Sequence, residues 1–93
     1  MRNSIIEVAK SCNYGIIENY HSKLTPSEPT LGIVVDNGDS LLAVGANLLK
    51  AAIKLVPSED FATLIQEAYI DTVDELDQPK QYRVIYFPSL MGA

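Results

Sequence analysis

The chain carries one cysteine, Cys12, and one histidine, His21, and thiol chemistry would have to use both. A thiol becomes a nucleophile when a base within hydrogen-bond reach takes its proton and a third group orients that base. On one helix, nine residues turn through about 900° and rise roughly 13 Å, which puts the two side chains on opposite faces. That spacing excludes a Cys/His dyad unless the helix breaks at Gly15. Cys12 then reads as a core thiol on an apolar stripe, and His21 as a ring suited to the negative end of a helix dipole. There is no Gly-x-Ser-x-Gly elbow and no glycine-rich phosphate loop. Asp36-Asn37-Gly38-Asp39 begins like a calcium loop but lacks the alternating acids and the closing Glu, so turn chemistry accounts for it. No catalytic residue, metal or cofactor is assigned.

Charge offers a second kind of chemistry. Between Pro57 and Gln78 stand seven acids, Glu59, Asp60, Glu67, Asp71, Asp74, Glu75 and Asp77, with no Lys or Arg among them. If a helix runs from 59 to 76, Asp60, Glu67, Asp71 and Asp74 fall within about 60° of one another over roughly 21 Å. They lie opposite a stripe of Phe61, Ile65, Tyr69, Thr72 and Leu76. One reading is the solvated face of an amphipathic helix. A solvated face usually mixes signs, however, and Asp74 and Glu75 would sit where the helix dipole disfavours negative charge. A basic protein surface is the partner such a line would suit. In its sharpest form the carboxylates imitate phosphates in a nucleic-acid-binding groove, an inhibitor's role of the kind small anti-defence proteins fill.

The elements that must carry these residues can be read in order. Ser4-Ile5-Ile6-Glu7 has the form of a capping box, and Ile5, Ala9, Cys12, Ile16 and Tyr20 share one helical face. They predict a helix over 5–22 that the Pro26 and Pro29 loop ends. Residues 30–36 (TLGIVVD) read as a buried strand. Asn37-Gly38 is a hairpin signal, yet the Leu, Ala and Lys that follow favour a helix over 40–56, capped by Asp39 or Ser40. On that helix Asn47, Lys50 and Lys54 gather on one side. Ser58 is the expected cap of the helix over 59–76, which Asp77-Gln78-Pro79 ends. Residues 81–87 (QYRVIYF) alternate as a second strand stopped by Pro88, and 88–93 form a loose tail.

The expected fold is a small α+β domain over residues 1–93, in the order α-β-α-α-β, with helices packed on a minimal two- or three-stranded sheet. Ile33, Val35, Leu48, Leu49, Ile65 and Ile85 are its expected core. At 93 residues, 47% hydrophobic, the chain can bury about 64% of its extended surface in one core. The second strand has large apolar groups on both faces, so a third strand or a second copy should cover it. A homodimer interface at Tyr82, Tyr86 and Phe87 follows from an open strand edge of this kind. A net charge of −5 has the wrong sign for direct nucleic-acid binding. The most apolar run, 41–56, is short of the roughly 20 residues a membrane span needs. One cysteine fits a reducing, cytoplasmic setting. Together these features predict a non-catalytic protein-binding module that uses an acidic helix face and an apolar edge strand. A small enzyme or enzyme subunit, or a small-molecule-binding accessory protein, is the alternative.

Overall fold

The computed structural model describes residues 2–74 and 81–90. It is an α+β domain with three helices and one four-stranded antiparallel sheet, in the order α1 (Arg2–Ser11), β1 (Gly15–His21), β2 (Pro29–Asp36), α2 (Leu41–Leu55), α3 (Phe61–Gln66), β3 (Tyr69–Asp74) and β4 (Gln81–Tyr86). The sheet order is β1-β2-β4-β3. The α+β class is as the sequence suggests, but the order α-β-α-α-β and the minimal sheet are corrected, because two predicted helices each end early and give way to a strand.

The first helix stops at Ser11. Asn13 takes a left-handed backbone, φ 64°, while its N–H donates to the Lys10 carbonyl and the Tyr14 N–H reaches back to Ala9. That pair of bonds is a Schellman stop, and asparagine tolerates the left-handed position better than most residues. Beyond it Ile16 and Ile17 suit a pleated strand. Cys12 thus precedes β1 and His21 ends it, rather than both lying on one helix, and the strand spans about 20 Å. Ser4 is inside α1 and does not cap it; its hydroxyl donates to Glu59 at 2.6 Å.

The helix expected over 59–76 is a six-residue α3. Asp60, not Ser58, is its cap, accepting from the Thr63 N–H. Tyr69, Ile70, Thr72 and Val73 are aromatic or β-branched, which favours strand over helix from there on. Glu75, Leu76 and Asp77 lie outside the described residues. The helix over 40–56 forms as α2, with Ser40 accepting from Ala43 N–H at its start. Asn37-Gly38 makes the preceding turn, which Asp39 closes by donating its N–H to Asp36 and accepting from the Asp36 N–H.

The three helices pack on one face of the sheet. Ile5 and Val8 of α1, Val44 and Leu48 of α2, and Phe61 and Leu64 of α3 meet Leu31, Ile33 and Val35 of β2 and Ile85 and Phe87 beside them. Ile33, Val35, Leu48 and Ile85 are buried as expected; Leu49 and Ile65 are half-buried against the same core. β4 is a central strand between β2 and β3, which corrects the edge reading. Pro88–Leu90 is a 3-10 turn whose Leu90 is buried, so this part of the expected loose tail is packed.

Candidate interaction surface

Tyr20 and Asp71 organise the sheet face away from the helices. The rows Gly32–Tyr86–Tyr69 and Val34–Val84–Asp71 cross it. Tyr20 follows a register shift in β1 and lies directly over Gly32. A Cβ at Gly32 would meet Val84 Cγ1 at 2.7 Å and Tyr20 Cβ at 3.0 Å. Only a bare backbone leaves room for the ring. The Tyr20 hydroxyl donates to Asp71 at 2.6 Å, and the Lys23 backbone N–H donates to the same oxygen at 2.9 Å. The Lys23 ammonium reaches the Thr72 carbonyl. Burial, then Asp71, raises the Tyr20 phenol above its ordinary range, and burial likewise raises that of Tyr86. Tyr86 stands 5.9 Å from Tyr20 and 5.8 Å from Tyr69, ring centre to ring centre.

The acidic line does not assemble. Asp60 caps α3, where the Thr63 hydroxyl and N–H lower its carboxyl below the ordinary range. Glu67 closes the other end of α3. Asp71 is 7% exposed and spent on Tyr20 and Lys23. Asp74 ends β3, opposite Gln81. A strand's two-residue period replaces the helical one that would have aligned them. Of the residues expected at a dimer interface, Phe87 is in the core and Tyr86 is buried against Tyr20 and Tyr69 within one chain; Tyr82 is half-buried.

Tyr82 borders a cleft of about 710 Å³ together with Cys12, Asn13, Tyr14, Asp36 and Asp39. The Cys12 thiol points elsewhere, toward the Asn47 carbonyl at 3.6 Å, and the Asn47 amide donates to the Tyr14 hydroxyl. His21 Nδ1 lies 3.0 Å from the Pro26 carbonyl. Among the described residues no group of three His, Cys, Asp or Glu could hold a metal ion, and no helix is long and apolar enough to cross a membrane.

The surface that sequence reasoning missed is on α2. Leu42 is 86% exposed and Ile53 71%. With Ala46 and half-buried Leu49 they fall within about 60° on the helix, along roughly 16 Å. On the α3 side, Leu42, Gly45, Leu49 and Ile65 line an apolar hollow of about 540 Å³. Gly45 permits that close packing, since a Cβ there would lie 3.0 Å from Ile65. On the α1 side stand Lys50 and Lys54, beside Cys12 and Asn47. Glu59 and Asp60 border a smaller hollow with Ile53 on the α3 side; Glu59 turns inward to Ser4, and exposed Asp60 opposes the two lysines across this half of the ridge. The only sequence signal was the gathering of Asn47, Lys50 and Lys54 on one side of the wheel, which marked the outward direction. Comparison with protein-family models, curated proteins and solved structures finds no match to this chain.

Proposed function

We propose that this protein is a non-catalytic protein-binding module, acting in the cytoplasm, whose contact surface is the exposed apolar ridge of α2. The observation that carries the reading is the pair Leu42 and Ile53, exposed on one helical face and joined by Ala46 and Leu49. Scattered exposed leucines need no explanation, whereas a contiguous apolar patch marks an interaction site. The ridge and the hollow beside it resemble the arrangement by which helices are taken into grooves. The non-catalytic part of the reading rests on where the perturbed groups are. Tyr20 and Tyr86 serve a packed strand-to-strand clasp, while catalysis needs such groups facing a cleft.

The test is a photo-reactive amino acid placed at Leu42 or Ile53 in cells, with exposed Asn37 as the control position. Adducts with protein from the two ridge positions, and none from Asn37, are expected. Absence of adducts from the ridge overturns the reading.

The cleft beside Tyr82 favours a second reading, a small-molecule-binding protein, because its volume falls within the range of roughly 300–1,000 Å³ usual for ligand sites. Its carboxylates, Asp36 and Asp39, suit a cation. Retention of small cationic metabolites on the purified protein, lost in Asp36→Asn, would favour this reading over the ridge.

A further inference from the structure

We propose that the occupant of the α2 ridge is a second copy of this chain, with the two α2 helices parallel about a two-fold axis that runs along them. The inference rests on the ridge being the interaction surface. Leu42, Ala46, Leu49 and Ile53 are separated by four, three and four residues, the d-a-d-a spacing of a coiled-coil seam. Leucine stands at both d positions and β-branched Ile53 at one of the two a positions, and leucine at d with a β-branched residue at a favours two parallel strands. Ala46, the small residue of the four, lets the backbones approach. The seam is short, but the domain already holds α2 helical, so association does not bear the cost of nucleating the helix.

Charge selects the orientation. Lys50 and Lys54 flank the Ile53 half of the ridge toward α1, and exposed Asp60 flanks it toward α3, while Glu59 turns inward to the Ser4 hydroxyl. A two-fold axis along the helices sets the basic flank of each copy against the acidic flank of the other at the same height, twice over. An antiparallel pair carries the charged half of each ridge to the Leu42 end of the other, so this pairing of opposite charges is lost. A net charge of −5 per chain opposes association elsewhere, so the basic flank is what makes a second copy acceptable here.

The test uses the purified chain. Light scattering at about 200 µM, well above a dissociation constant on the order of 10 µM, should give twice the 10.2 kDa chain mass. Leu42→Glu with Ile53→Glu should give a monomer with an unchanged melt, because both side chains are already in solvent. Lys50→Glu with Lys54→Glu should weaken the dimer by about tenfold or more. In a Cys12→Ser background, Ile53→Cys should form an intermolecular disulfide on oxidation, since only a parallel pair brings the two positions 53 together. A monomer mass at that concentration, or a dimer that survives the double glutamate variant, overturns the proposal. A dimer with no disulfide from Ile53→Cys overturns the parallel arrangement. If the chain is monomeric while Leu42 crosslinks to a different protein in cells, the second copy is excluded and the protein-binding reading stands.

Discussion

The Tyr20 hydroxyl and the Asp71 carboxylate, 2.6 Å apart, join the two edge strands of the sheet across its outer face. No backbone ladder connects β1 to β3. This bond and the Lys23 N–H on the same oxygen do so, and Tyr20 lies over Gly32 beneath.

Removing the acceptor should therefore loosen both edges. Asp71→Ala is expected to cost about 1–3 kcal/mol, the usual result of leaving buried donors without a partner. Urea unfolding monitored by circular dichroism measures it. An unchanged midpoint would return Asp71 to a surface role.

Alkaline pH should act on the same clasp. Tyr20 and Tyr86 hold their protons more tightly folded than unfolded, where a phenol titrates near about 10. The unfolded chain releases those protons first as pH rises, so the stability they confer is complete below about pH 10 and is lost above it. Thermal melts from pH 8 to 11.5 should fall at the alkaline end, and Tyr20→Phe should fall less steeply.

Gly32→Ala tests the close approach of the ring. Its methyl group would meet Val84 at 2.7 Å and Tyr20 at 3.0 Å, and overpacking of this kind costs about 1–3 kcal/mol. The tyrosines should report the shift in near-ultraviolet circular dichroism. A fully stable Gly32→Ala with an unaltered spectrum would contradict the described packing.

Asn13 separates α1 from β1, and its left-handed backbone should show in substitution. Asn13→Ala is expected to lose about 1 kcal/mol, and Asn13→Gly to lose little or nothing, because only the former pays a steric penalty at positive φ. Chemical denaturation of the two variants side by side decides it.

The two faces of α2 should respond differently. Leu48→Ala removes a buried side chain and should cost about 2–5 kcal/mol. Leu42→Ala should change the stability of one chain by less than about 0.5 kcal/mol, with any larger effect appearing only as protein concentration rises.

What could be read from the sequence follows from how local each cause is. β2 and β4 are β-branched or aromatic runs bounded by proline, and α2 has helix formers behind a serine cap, so each declares itself. Residues 14–20 and 69–73 satisfy two periods at once. Ile16 and Tyr20 are four apart, as on a helix, yet they pair on a strand with Ile33 and Thr30. The deciding features were the Asn13 backbone and partners on distant strands. Asp71 illustrates the point for the site, since its donor Tyr20 is 51 residues away and no spacing within 59–76 reveals it. The outward ridge of α2 was hidden for a related reason. Leu42 and Leu48 are the same residue type, and only the placement of α1 and α3 decides which one meets the sheet.

The strand order also governs how the chain behaves while it is being made. β1 and β2 are consecutive in the chain and pair as a hairpin, but the far side of β2 pairs with β4, with α2, α3 and β3 intervening. Until β4 emerges from the ribosome, Leu31, Ile33 and Val35 belong to an open strand with unmatched amides, the kind of edge that recruits other chains. A chain cut short before Gln81 should therefore keep that side of β2 open to pairing with other chains.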